Sequence, residues 1–155
     1  SEERRQALMT GLANSGNPLY RCMLADMFLK KGEAVHALKW LEKAVAKNDL
    51  GAMYRLGKML EEGNGVEKDQ AAALGYYRKS ANQGHALAQL HLGTCYEKGV
   101  GVPQDLSLSY MWYTLAMRLG IPDAFRNFEV VIKKMSPEQI DKAKVLTAAW
   151  QKSTD

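Results

Sequence analysis

The chain has 155 residues, a mass of 17.3 kDa and 46% hydrophobic residues, enough to bury one core, which excludes a disordered tail. Its net charge is +4, but Lys and Arg are interleaved with Asp and Glu along the whole length, as at Lys58, Glu61, Glu62, Glu67, Lys68 and Asp69. That mixed surface is unlike a phosphate-binding stripe and argues against nucleic acid as a partner.

No run approaches the ~20 apolar residues of a membrane helix, so no membrane insertion is expected. The chain as it stands shows no signal peptide, which leaves cytoplasm and periplasm both open, and Ser1 in place of a methionine keeps an upstream segment open too. Cys22 and Cys95 fall two repeats apart in the scheme below, too far for a disulfide, and read as small core or surface thiols.

In chain order, residues 2 to about 14 carry Ala7, Leu8 and Leu12 at helical spacing, with Glu2 and Glu3 in the first turn. Pro18 suits the first turn of a second helix, which carries Leu24, Met27 and Phe28 to about Lys31 before Gly32 breaks it. A third helix, Ala34 to Lys47, presents Ala37, Leu38, Leu41, Ala44 and Val45 as an apolar stripe ended by Asn48-Asp49.

From residue 51 onward the chain repeats itself at an offset of 36 residues: Leu56-Gly57 on Leu92-Gly93, Gly63 on Gly99, Gly65-Val66 on Gly101-Val102, Asp69 on Asp105, Tyr76-Tyr77 on Trp112-Tyr113, Gly84 on Gly120. A period of this length with two helical patterns and one Gly-containing loop marks a stacked array of helix hairpins. Residues 18–48 are a variant of the same unit with a loop four residues shorter. Gly63 and Gly99 stand where a left-handed C-terminal cap is wanted, and Gly65 and Gly101 allow a second tight position. Val66 and Val102 are expected to pin the loop to the core, while Asp69 and Asp105 occupy N-cap places. Neither loop ends in Gly-Lys-Ser/Thr or has GxGxxG spacing, so neither reads as a phosphate or dinucleotide loop.

Gly57 and Gly93 fall inside helices, where glycine costs roughly 1 kcal/mol, so a neighbouring helix is expected to cross closely there. The aromatic pairs of the second helices read as packing between hairpins rather than as a base-stacking platform. After Gly120 a third copy begins and departs from the pattern: Glu129 replaces the mid-helix glycine. Ser136-Pro137-Glu138-Gln139 then starts a last helix, to about Lys152, carrying Ile140, Ala143, Leu146, Thr147 and Trp150. An atypical terminal unit is how such an array closes its end.

These segments, Leu56-Gly57 with Gly63-Asn64-Gly65-Val66-Glu67-Lys68-Asp69 and Tyr76-Tyr77, and again Leu92-Gly93 with Gly99 to Asp105 and Trp112-Tyr113, resemble the Sel-one-like repeat (SLR) family, a branch of the tetratricopeptide-like α/α repeats. The Met135-Ser136-Pro137-Glu138-Gln139 tail resembles the ending of many bacterial members. The fold class is therefore expected to be all-α, a right-handed α/α superhelix of about four helix hairpins and roughly nine helices. It is expected to form one domain over 1–155: an unpaired helix 1–14, a tetratricopeptide-like unit 18–48, repeats 51–84 and 85–120, and a capping hairpin 121–155. The resemblance implies that first helices line a concave groove, which places Cys22, Asp26, Tyr54, Arg55, Lys58, Glu61, Leu90, Thr94, Glu97, Arg126 and Val130 on the partner-binding side.

The resemblance also implies a scaffold or adaptor that takes a peptide, helix or domain surface into the groove, with no cofactor, metal or catalytic residue. Cysteine-rich relatives have been linked to β-lactamase activity, but this chain lacks dense cysteines and has neither Ser-x-x-Lys nor Lys-Thr-Gly, so it is not expected to be an enzyme. His85 and His91 are six apart, off the i, i+4 spacing of helical metal ligands, and read with His36 as surface or groove residues. The other reading is a self-assembling piece of a larger complex, for instance a homodimer through the N-terminal helix.

Overall fold

The structure is a computed structural model, described here over residues 1–153. Among them the regular structure is entirely helical, and the residues fall into two compact units that divide between Tyr76 and Tyr77.

The first unit holds α1 (Glu2–Asn14), α2 (Pro18–Lys30), α3 (Ala34–Val45), α4 (Leu50–Glu62) and the start of α5 (Gln70–Asn82). α1 packs on α2, α2 on α3 and α3 on α4. The interior is made by Leu24, Ala25 and Phe28 of α2 with Ala37, Leu41 and Ala44 of α3, as the i, i+3, i+4 spacing of those residues requires. Met9 and Ala13 are the buried residues of α1, whereas Leu8 is 64% exposed. The expected stripe of Ala7, Leu8 and Leu12 is thus rotated: the helix turns the Met9–Ala13 row inward, with Leu12 half-buried beside it.

The loop chemistry follows from the caps. Gly63 ends α4 in the left-handed region at φ 68°, and Val66 reaches back against the core. Asp69 Oδ1 then accepts from Ala72 N at 2.9 Å to start α5. Asn48, at φ 58°, turns the chain after α3, which ends at Val45 rather than Lys47, and Asp49 caps α4 by accepting from Ala52 N at 2.7 Å.

The second unit holds the rest of α5, α6 (Ala86–Lys98), α7 (Leu106–Arg118), α8 (Pro122–Ile132) and α9 (Pro137–Ala149). α7 is the central element. It packs against α6, α8 and α9, and it buries Tyr110, Met111, Trp112, Tyr113, Leu115 and Ala116. A Cβ on Gly93 of α6 would lie 2.5 Å from the Tyr113 ring, so the close crossing expected from a mid-helix glycine is present here. Ser109 Oγ also donates to Gly93 O at 2.8 Å, and Gly57 of the first unit is likewise buried.

The Asp105 cap and the full Ser136–Gln139 capping box are both in place. α9 stops at Ala149, three residues short of the expected Lys152. Trp150 is extended, and its ring meets Trp112 edge-on at 6.3 Å between centroids. An indole turned back onto α7 gains burial that a further helical turn would not give it.

Candidate functional site

In the first unit, α2 and α4 bring Asp26 and Arg55 together. The Arg55 guanidinium donates from Nε to Asp26 Oδ1 at 2.8 Å and from Nη2 to Oδ2 at 2.9 Å, while Nη1 reaches Gly51 O at 3.2 Å. This two-pronged contact matches the planar fork to the carboxylate and raises the already high pKa of Arg55. The pair is ordered but still wetted: its side chains are 34% and 40% exposed. Tyr54, Lys58 and Glu61 flank it on α4 as half-buried residues, and Lys58 Nζ lies 3.8 Å from Glu62.

Cys22, expected on the same side, is instead buried. Its thiol donates to Asp49 Oδ1 at 3.2 Å, and burial, with the Asp49 carboxylate adding to it, pushes its pKa up to about 12. A small apolar side chain one turn before Asp26 suits the α2–α4 contact better than solvent. A thiol so held is not a nucleophile at neutral pH.

In the second unit, Leu90, Thr94 and Glu97 lie along α6. Tyr113 gathers two of them: its hydroxyl donates to Glu97 Oε2 at 2.7 Å and lies 3.1 Å from Thr94 Oγ1. Burial raises the Tyr113 pKa above its ordinary value, so the phenol stays a donor. Glu97 Oε1 pairs with Lys134 Nζ at 3.3 Å. Arg126 on α8 pairs with Asp123, one turn earlier, and Val130 is 48% exposed. The expected residues therefore divide between an Asp26–Arg55 cluster and a Thr94–Glu97 cluster, with Arg126 and Val130 outside both.

Sequence reasoning missed Asp49, Tyr113 and Lys134 as the organisers of these clusters. Tyr113 had a signal, its identity with Tyr77 at the repeat offset, but it was read as packing alone. His85 also proved structural: it caps α6, its Nδ1 accepting from Ala88 N at 3.2 Å.

Residues 22–49, 50–85 and 86–121 each match the model of the Sel1 repeat. The chain belongs to the Sel1 repeat family. Two solved structures share its fold. The Escherichia coli protein c5321, a protective antigen of uropathogenic strains displaying an SLR fold, is 28% identical with a TM-score of 0.88, over 97% of this chain and 33% of that one. A Sel1 repeat protein from Oxalobacter formigenes is 30% identical with a TM-score of 0.70, over 81% of this chain and 98% of that one.

Among curated relatives, chitin synthase regulatory factor 3 of Schizosaccharomyces pombe is 36% identical over 51% of this chain and 9% of its own length. A putative ERAD-associated E3 ubiquitin-protein ligase component of the same yeast is 29% identical over 64% of this chain and 17% of its own length. The Sel1 repeat chain thus spans less than a fifth of these relatives. The 18–48 segment, expected to be closer to a tetratricopeptide unit, is matched as a Sel1 repeat over 22–49. Among the described residues no helix is long and apolar enough to cross a membrane.

Proposed function

We propose that this Sel1 repeat chain is a protein-interaction module. On this reading it holds a peptide, helix or domain surface of another protein against the residues expected to face the groove, and it catalyses no reaction. The observation that carries it is the Asp26–Arg55 fork, which is ordered by two hydrogen bonds yet leaves 40% of the Asp26 and 34% of the Arg55 side chain in water. Groups fixed before association lose less rotamer freedom on binding, so they favour recognition. The relatives' names, a regulatory factor of chitin synthase and a component of a ubiquitin-protein ligase, are those of proteins that work beside others, which supports an adaptor. A thiol kept protonated by burial supports the non-enzymatic side of the reading.

The test is affinity capture from native extract read by mass spectrometry. Arg55→Glu with Lys58→Glu is expected to lose the captured proteins at unchanged helicity by circular dichroism. Because Glu at 55 would face Asp26, the swap Asp26→Arg with Arg55→Glu is the second arm. It keeps an ion pair but inverts it, and is expected to lose capture at near-native stability. Unchanged capture after the whole stripe from Asp26 to Glu61 is altered would show that partners bind elsewhere.

A further inference from the structure

In α6, His91 and Cys95 stand four residues apart, so their side chains rise from the same face one helical turn apart. Four is the spacing of paired metal ligands on a helix, which His85 and His91, six apart, do not have. A ring nitrogen of His91 and the Cys95 sulfur lie within 4.8 Å of one another. Zinc takes a thiolate at about 2.3 Å and an imidazole nitrogen at about 2.0–2.1 Å, so a small side-chain rotation lets one ion bridge the two. The packing of the repeat does not ask for this pair. At the repeat offset the same two places hold Arg55 and Met59 in one copy and Asn127 and Val131 in the next.

The surroundings fix the pair. Cys95 is 3% exposed, and the half-buried His91 ring lies against that of the fully buried Tyr77, with centroids 4.2 Å apart and planes tilted by 42°. A ring held this way on a hydrogen-bonded helix gives up little rotamer freedom when it takes an ion. A thiolate with an imidazole suits zinc, whereas magnesium and calcium require oxygen donors. Cys22 offers no such set: its thiol donates to Asp49, and the residue four places on, Asp26, is held by Arg55.

We propose that His91 and Cys95 are two ligands of a zinc site on α6. On binding, the Cys95 thiol releases its proton to solvent and coordinates as thiolate, while His91 coordinates as the neutral imidazole. The ion enters from the side of His91, the less buried of the two. Once bound, it clamps one turn of the helix that also carries Leu90, Thr94 and Glu97. The site uses no residue of the Asp26–Arg55 cluster, so it stands or falls apart from the module proposed above.

The experiment titrates the reduced, metal-free full chain with cobalt(II), a coloured stand-in for zinc, and then displaces the cobalt with zinc(II). A thiolate-to-cobalt charge-transfer band that saturates at one ion per chain and is bleached by zinc is expected, with a rise in the thermal midpoint on adding zinc. Cys95→Ala is expected to abolish the band, and His91→Gln, at a half-buried position that tolerates the change, to weaken zinc binding at least about tenfold. Cys22→Ser is expected to leave band and affinity unchanged, with the helicity of each variant checked by circular dichroism. A band that survives Cys95→Ala, or that is lost with Cys22→Ser, would place the ion on the other thiol and overturn the site. Unchanged zinc affinity in His91→Gln would overturn the pairing of thiol and imidazole, and the absence of any charge-transfer band would overturn the proposal outright.

Discussion

At the scale of single residues, two helical glycines predict opposite outcomes for one substitution. Gly93→Ala puts a methyl 2.5 Å from the ring of Tyr113, which is fully buried and held by Glu97, so the ring has little room to retreat. Overpacking of this kind costs about 1–3 kcal/mol, and the ~1 kcal/mol gain in helix propensity offsets only part of it. A net loss of up to about 2 kcal/mol is expected from the urea midpoint. Gly75→Ala, at an exposed position of α5 with nothing within 4 Å of the new methyl, is expected instead to stabilise by ~0.5–1 kcal/mol. Cys22 makes a second case. Its folded pKa is raised from 9.0 to about 12, so its contribution is complete below pH 9 and is lost as the unfolded thiol ionises above it. Stability is expected to fall between pH 9 and 12. Cys22→Ser keeps a donor for Asp49 and does not titrate there, so it should flatten part of that slope in urea titrations at stepped pH.

At the scale of elements, the two long inter-helix loops each end in a carboxylate that begins the next helix, Asp69 before α5 and Asp105 before α7. Asp69→Ala and Asp105→Ala each leave a first-turn N–H without its acceptor and are expected to cost about 0.5–2 kcal/mol, with the loss at Asp105 the larger because that cap is less exposed. Both caps, the two left-handed glycines and the Ser136 box were legible in the sequence, because cap chemistry is set by residues within four positions of one another. The α1 stripe was not. Ala7, Leu8 and Leu12 fit a helical spacing as well as Met9 and Ala13 do, and only contact with α2 decides which row turns inward. The same limit explains Cys22: alternation of polar and apolar residues along α2 places it near the edge of the buried face, and the nearness of Asp49, 27 residues on, determines its environment. His85 as a cap was hidden because imidazole is a rare acceptor at that place, although it aligns with Asp49 at the repeat offset.

At the scale of the whole chain, the oligomeric state can be argued from what α1 leaves uncovered. The alternative reading, a homodimer through the N-terminal helix, rests on α1 lacking a hairpin partner and so exposing apolar surface. In the structure its Met9 and Ala13 are 8% and 0% exposed against α2. What remains nearby is Leu8, Leu19 and Met23, at 64%, 60% and 41%, beside the charged Glu2, Glu3, Arg4 and Arg5. A stable dimer buries at least ~1,200 Å² around an apolar centre, and three separate side chains in a charged setting fall short of that. We therefore expect light scattering at micromolar concentration to return the 17.3 kDa mass of one chain. The informative control is Leu8→Glu. If the mass is doubled and this substitution halves it, α1 is an interface and the self-assembling reading replaces the monomeric one; if the mass is that of one chain before and after, partner binding must be explained by the surfaces of a single copy.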